Sequence, residues 1–260
     1  MSNVKFPGRV GEIYSNKFGT QFKIIEYQSS SRVIVQSIDE YHISKMVYYR
    51  DLIRGSVLSP YDKTVCGVGY LGTGEYLTAV DGVLTLAYSA WKHMMDRCYN
   101  DKSHTHRPTY AECTVAEEWH NYQNFAKWWN ENYYQCNNET MCLDKDIATK
   151  GNKIYGPDTC LIVPQRINTL IESCKSARKS LPVGVSVDPY SKRFRAACRI
   201  LCDGVSKKKH LGLYDTPNEA FEVYKNYKEK YIQSVANEYK SLLPENVYNA
   251  IYNYKITIDD

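Results

Sequence analysis

The spacing of hydrophobic and polar residues changes along the chain, and the first part has the spacing of strands. Three short segments alternate β-branched or aromatic residues with polar ones, at 22–27, 32–38 and 42–49. A period of two predicts half-buried strands. Strands this short and this close together predict a small β-barrel or meander over residues 1–75.

Helical spacing begins after residue 84. In one segment, apolar residues recur three or four positions apart: Ala87, Trp91, Met94, Met95 and Cys98. A second stripe is aromatic and consists of Trp119, Tyr122, Phe125, Trp129 and Tyr133. Both stripes predict amphipathic helices whose apolar faces form a core. Thr114 and Glu117 have the spacing of a capping box ahead of the second helix.

Three strand-like segments precede another helix near the C-terminus. They are 183–188, 192–200 and 208–215, with turns at 188–191 and 202–204. Thr216, Pro217 and Glu219 then have the spacing of an N-cap, a first helical residue and the closing residue of a capping box. The polar segment 175–182, which contains a proline, predicts a domain boundary before these strands.

The expected fold class is therefore α+β. The predicted parts are a small N-terminal β unit (1–75), a central helical unit (76–178), a three-stranded sheet packed on one helix (179–240) and a C-terminal tail (241–260).

The segment 192–200 is expected to present two different faces, because side chains alternate along a strand. One face is apolar and is expected to pack on the helix; it carries Phe194, Ala196, Cys198 and Ile200. The other carries Arg193, Arg195 and Arg199 beside Ala197. A sheet of this width can enter the DNA major groove, where arginine can donate to both O6 and N7 of guanine.

Lysines follow on the next predicted strand, and they are expected to contact phosphates. They are Lys207, Lys208 and Lys209. The alternative interpretation is a half-buried sheet whose outer charges are simply solvated.

Charge is concentrated in the same region. The whole chain has a formal net charge of +4, whereas residues 179–240 alone carry 12 basic and 7 acidic side chains. A local basic excess favours a phosphate backbone as partner. Because the chain lacks a long apolar stretch and an apolar N-terminal signal core, neither membrane spanning nor secretion is expected. Nine cysteines without framework-like spacing favour reduced thiols in the cytoplasm.

Several landmarks of the C-terminal segment occur in the order seen in a known family. They are Gly184-Val185, Phe194, Ala196, His210-Leu211-Gly212, Tyr214-Asp215-Thr216, Glu219-Ala220 and Tyr224. This pattern resembles the plant ethylene-response-factor (Apetala-two) type of DNA-binding domain and its phage relatives. The resemblance implies that the sheet lies in the major groove and that strand arginines and an aromatic residue contact DNA. Phe194 stands where the plant domains usually have tryptophan, so the base preference is not carried over.

The central unit resembles the ββα-metal segment of HNH endonucleases, to which phage versions of this DNA-binding domain are commonly joined. The matching residues are Leu143-Asp144-Lys145-Asp146, Gly151-Asn152, Pro157-Asp158-Thr159-Cys160 and Asn168. The resemblance implies that Asp144 and Asn168 bind Mg²⁺ or another divalent cation. Lys145 stands at the position of the family's histidine base, and Thr159 at that of its central asparagine. Asp146 is expected to serve instead as a ligand or a base, and Asn152 is expected to orient a phosphate or a water.

Such a metal would stabilise the transition state of phosphodiester hydrolysis, and a base would activate the attacking water. The expected function is that of a phage-type HNH homing endonuclease that binds double-stranded DNA and nicks or cleaves it, in the cytoplasm of an infected bacterium if the gene is a phage gene. One alternative is a catalytically inactive DNA-binding regulator or an antagonist of host machinery. Another is a protein-interaction module whose basic sheet binds an acidic partner.

Overall fold

The computed structural model describes residues 7–171, 181–202, 205–258 and 260. The chain divides into two units, residues 1–131 and 132–260. The linker predicted at 175–182 lies largely outside the described residues.

The first unit begins with an antiparallel sheet whose strands pair in chain order. Its strands are β1 (Ile13–Ser15), β2 (Gln21–Ser29), β3 (Arg32–Ser37) and β4 (Ser44–Val47). Alternate residues of β2 and β3 are buried because one face of the sheet covers a core, which the short helix α1 (Tyr49–Ile53) completes through Leu52. The three strands predicted within residues 22–49 are confirmed.

Helices dominate the rest of the first unit. A hairpin of β5 (Ala79–Val80) and β6 (Val83–Leu84) leads into α2 (Leu86–Tyr99), which is followed by α3 (Asp101–His106), β7 (Thr114–Val115) and α4 (Tyr122–Asn132). The buried residues of α2 are the ones that its spacing predicts: Ala87, Trp91, Met94, Met95 and Cys98.

The predicted start of the second helix is wrong. Trp119 lies in a separate 3-10 helix, Glu117–His120, and α4 begins only at Tyr122. Thr114 belongs to β7, and Ala116 occupies the N-cap of the 3-10 helix without a side-chain cap. Because Thr114 is followed by Val115 of β7 and not by the first turn of a helix, its hydroxyl does not cap a helix as the spacing to Glu117 predicts.

The second unit contains a strand pair followed directly by a helix. β8 (Met141–Asp144) pairs antiparallel with β10 (Leu161–Pro164), with Asp144 opposite Leu161. The loop between them includes β9 (Ile154–Tyr155). Helix α5 (Gln165–Ile171) continues from β10 and packs against both strands.

The remainder of the second unit is a three-stranded antiparallel sheet covered by a helix. The elements are β11 (Val185–Val187), β12 (Phe194–Cys202), β13 (Val205–Tyr214), α6 (Pro217–Glu238) and α7 (Glu245–Tyr252). Ala196 and Cys198 are buried together with Ala220 and Tyr224 of α6. The predicted capping box is confirmed, since the Glu219 amide donates to Thr216 Oγ1 at 3.2 Å and the Thr216 amide donates to Glu219 Oε2 at 3.3 Å.

The fold class is α+β, with helices beside several small antiparallel sheets. Among the helices that the structure describes, none is both long enough and apolar enough to cross a membrane.

Candidate nucleic-acid interface

The register between β12 and β13 determines which cations share a face of the sheet. Arg199 lies directly opposite Lys208, and Ala197 lies opposite His210. Arg195 lies opposite Leu213 on one side and Ser186 on the other. Directly opposed residues share a face, and faces alternate along a strand. We therefore define the outer face of this sheet by Arg195, Arg199, Lys208 and His210.

The three lysines that the sequence groups together lie on different faces. Lys207 is opposite Ile200 and Lys209 is opposite Cys198, on the side covered by α6. The Lys209 ammonium lies 5.0 Å from the centre of the Tyr227 ring, which belongs to that helix. Only Lys208 shares the outer face with the arginines.

A β-bulge determines which of the lysines lies on the outer face. The register shifts by one residue between Ala196 and Ala197. Had the pairing of Phe194 with Tyr214 continued without the shift, Lys209 would face Arg199 and Lys208 would lie on the helix side. Gly212 beside the bulge, with a φ of +134°, is the sequence signal that could have indicated it, because glycine inside a strand often marks a bulge.

Phe194 is part of the helix-facing side. It lies opposite Tyr214 and is half-buried against the core of the second unit. The structure therefore separates Phe194 from the arginines of the outer face, as the alternation along the strand predicts. The resemblance, in contrast, implies that the aromatic residue contacts DNA together with the arginines.

Two of the predicted arginines form ion pairs. Arg193 Nε lies 2.8 Å from Asp215 Oδ1, and both side chains are largely exposed. Arg195 Nη2 donates to Asp188 Oδ2, and the Asp188 side chain is 7 % exposed. The Nε of Arg195 is buried without a hydrogen-bond partner. Leaving a buried donor unsatisfied costs roughly 1–3 kcal/mol.

Asp188 is itself fixed by the turn between β11 and β12. Its Oδ1 accepts hydrogen bonds from the amides of Tyr190 and Ser191, at 3.2 and 2.8 Å, and from the Ser191 hydroxyl at 2.9 Å. These bonds, the Ser191 amide foremost, and the bond from Arg195 lower the pKa of Asp188 to about 2.

Arg199 and Lys208 have no such carboxylate. Both side chains are exposed, and neither forms an ion pair with a residue in the described part of the chain. Like charges directly opposite each other on neighbouring strands are destabilising. The pair is therefore a charge arrangement that an anionic partner would relieve.

The predicted catalytic residues occupy the loop that follows β8. Asp144 Oδ1 accepts hydrogen bonds from the amides of Asp146 and Ile147, at 2.8 and 2.7 Å, and so holds the first turn of the loop. Burial raises the pKa of Asp144, and these two bonds offset part of that rise.

Lys145 is buried and acts as a donor. Its Nζ lies 2.6 Å from Asp146 Oδ2 and donates to the Asn152 carbonyl at 2.7 Å. The ammonium also lies 5.7 Å from the centre of the Tyr155 ring. Because these contacts favour the protonated amine, Lys145 is poorly suited to serve as a general base.

Both N–H donors of the Asn152 amide are used by the loop. Its Nδ2 donates to the carbonyls of Lys145 and Ile154, at 3.0 and 2.6 Å, and its Oδ1 accepts from the Ile154 amide at 3.1 Å. The Thr159 hydroxyl also donates to the Ile154 carbonyl, at 2.8 Å. These side chains shape the loop, and the Asn152 amide has no N–H donor left with which to bind a phosphate.

The donor set around Asp144 does not fit a divalent cation. Asp146 is paired with Lys145, whose buried ammonium would lie beside the metal, and Asn168 on α5 is half-buried. Within the described ranges, no three histidine, cysteine, aspartate or glutamate side chains are grouped for metal binding. A divalent cation in a protein needs several oxygen or nitrogen ligands, and those ligands must not already be paired with a positively charged side chain.

The end of the chain braces the same loop, which the sequence did not indicate. Lys150 Nζ donates to the Lys255 carbonyl at 2.7 Å and forms an ion pair with Asp260. It also lies 5.0 Å from the centre of the Tyr254 ring. The adjacent amide of Ile256 donates to Glu229 on α6 at 3.0 Å.

Comparison with known proteins does not identify relatives. No family model, no curated protein and no solved structure matches this chain.

Proposed function

We propose that this chain binds duplex DNA through the outer face of the C-terminal sheet, with a preference for particular sequences. The observation that carries the proposal is the cross-strand pair of Arg199 and Lys208, exposed and without a carboxylate among the described residues. Cations placed this way gain affinity from phosphates by releasing the counterions of DNA.

The shape of the element supports a duplex as the partner. A flat surface of antiparallel strands can enter the major groove, and the arginine fork matches the acceptors of guanine there. The resemblance of this segment to the ethylene-response-factor type of domain implies the same docking. His210, which is exposed on the outer face, is suited to contacts with the flanking backbone.

We further propose that the loop after β8 is a structural element and does not hydrolyse DNA. Asp144, Asn152 and Thr159 are used in hydrogen bonds that shape the loop, and Lys145 is held as an ammonium. The chain would then be a DNA-binding regulator or an antagonist of other DNA-bound machinery. The competing candidate is metal-dependent nicking centred on Asp144. It is favoured by the order of β8, β10 and α5, which is the strand–strand–helix order of a ββα-metal segment.

The binding proposal is tested by mobility shift with a mixed-sequence duplex at increasing salt. Arg199→Ala and Lys208→Ala should each weaken binding and reduce the slope of log affinity against log salt by about one. Lys209→Ala is the matched control, because it removes the same charge from the opposite side of the sheet. Equal losses in all three variants, or no binding by the unaltered protein at low salt, would overturn the proposal. The second result would favour an acidic protein partner.

Catalysis is tested separately with supercoiled plasmid in Mg²⁺, in Mn²⁺ and in EDTA. We expect a mobility shift without nicking in all three conditions. Metal-dependent nicking that disappears in Asp144→Ala would show that the chain is a nuclease and that the loop is catalytic.

A further inference from the structure

Asp188 and Arg195 are joined at the centre of the candidate DNA-binding sheet. Arg195 is in the middle strand, with Ser186 opposite it on β11 and Leu213 opposite it on β13. Its Nη2 donates to Asp188 Oδ2. The guanidinium therefore lies between two uncharged neighbours and is held from one side by a single carboxylate.

The orientation of that carboxylate is fixed by the turn. All three hydrogen bonds from Tyr190 and Ser191 go to Oδ1, which leaves Oδ2 to the arginine. Rotation of the carboxylate would break those three bonds. Oδ2 is consequently a fixed acceptor, and the arginine bonded to it has a defined position.

The rest of the arginine shows which of its donors remain. Its Nε is buried without a hydrogen-bond partner, so the side chain is held in a position where one of its donors is unsatisfied. Nη1 forms no hydrogen bond with any residue in the described ranges, and the side chain as a whole is 33 % exposed. The two N–H groups of Nη1 and the second N–H of Nη2 therefore remain for a partner.

We propose that Asp188 is a positioning residue that holds Arg195 ready to read a base edge carrying two acceptors, as guanine does in the major groove. This inference rests on the proposed DNA binding. An arginine that is already oriented loses less rotamer freedom when it binds, and its planar fork discriminates between bases better than a mobile cation does.

Neighbouring pairs on the sheet serve as internal comparisons. Arg193 is bound to Asp215, but those side chains are 46 % and 79 % exposed, so that pair does not fix a direction. Arg199 has no carboxylate partner among the described residues and faces Lys208. The structure thus assigns base reading to Arg195 and phosphate contact to Arg199 and Lys208.

The test compares Asp188→Asn with Asp215→Asn, because both variants remove one carboxylate beside an arginine of the same sheet. In Asp188→Asn the amide oxygen can keep the three bonds of the turn, whereas an N–H₂ donor replaces Oδ2 opposite the arginine. Preferred duplexes are first selected from a random library with the unaltered protein. Affinities for a selected duplex and for its scrambled version are then measured over a range of salt concentrations.

Asp188→Asn should reduce the ratio of the two affinities about tenfold. Its salt slope should match that of Asp215→Asn, and Asp215→Asn should keep the original ratio. If the ratio for Asp188→Asn falls no further than that for Asp215→Asn, the inference is wrong. If the unaltered protein binds no duplex, the proposed function is wrong and the inference with it, so the two failures are distinct.

Thermal unfolding shows whether Asp188→Asn folds. If it does not fold, a second pair of variants still tests the inference. Arg195→Lys leaves the turn and the charge in place but removes the planar fork. It should reduce the affinity ratio about tenfold, whereas Arg199→Lys should preserve the ratio. An unchanged ratio in Arg195→Lys would overturn the inference regardless of the aspartate variant.

Discussion

The backbone of Gly184 lies directly against the ring of Tyr224. A β-carbon at Gly184 would be 2.1 Å from Cδ2 of that ring, and the residue has a φ of +74°. The adjacent Gly184 carbonyl accepts a hydrogen bond from the Ala197 amide at 3.0 Å. Both the close approach and the left-handed backbone require glycine at this entry to the sheet.

Gly184→Ala should therefore destabilise the second unit severely. The left-handed conformation and the clash with Tyr224 together should lower the free energy of unfolding by about 3 kcal/mol. Gly151→Ala is the matched control, because Gly151 has a φ of +72° and no heavy atom within 4 Å of its added β-carbon. Urea unfolding of both variants measures the difference, and similar losses would show that Tyr224 imposes no constraint.

The sequence predicted what depends on local pattern. The stripe of Trp91 and its neighbours identified the buried face of α2, and Thr216 with Glu219 identified the start of α6. Each of these signals is formed by residues that are close together along the chain. Tertiary contacts then reinforce the local preference. At Thr114 the same kind of spacing failed, because strand pairing there overrides the capping preference.

The distribution of cations in the candidate site depends on features that the sequence does not specify. A single extra residue beside Gly212 determines that Lys208, and not Lys209, faces Arg199. The bond between Asp188 and Arg195 depends on the geometry of the intervening turn. Burial of Lys145 likewise depends on tertiary packing against Tyr155, whereas its sequence neighbours indicate only an exposed acidic setting.

Trp91 makes a buried hydrogen bond whose loss should be measurable in the first unit. Its Nε1 donates to the Trp119 carbonyl at 2.7 Å. Trp91→Phe leaves that carbonyl unpaired and a void beside it, so the free energy of unfolding should fall by about 2–4 kcal/mol. Tyr88→Phe, on the same helix, is the control, because the Tyr88 hydroxyl has no hydrogen-bond partner in the described part of the chain. A comparable loss in the control would mean that the Trp91 bond contributes little.

The low pKa of Asp188 predicts a defined acid sensitivity. Since its pKa in the folded protein is lowered to about 2, its ionised form stabilises the fold above its ordinary pKa. That contribution should be lost as the pH falls from about 4 to about 2. The difference in unfolding free energy between the unaltered protein and Asp188→Asn should therefore shrink over this interval. Urea unfolding of both proteins at each pH measures this difference. A difference that stays constant down to pH 2 would contradict the assignment.

Lys208→Glu should separate binding from stability. A glutamate opposite Arg199 replaces a repulsive cross-strand pair by an attractive one, which should raise the free energy of unfolding by about 0.5–1 kcal/mol. The same change places a negative charge on the surface that we propose meets phosphates, so DNA affinity should fall strongly and the salt slope should decrease.

Lys207→Glu has the same change in net charge but lies opposite Ile200, on the helix-facing side. It should not raise stability, and its effect on DNA affinity should be smaller than that of Lys208→Glu. Thermal unfolding and mobility shift of the two variants give both readouts. A contact made by the outer face requires Lys208 to be the more sensitive position. Equal affinity losses in the two variants would therefore show that only the total charge of the sheet matters.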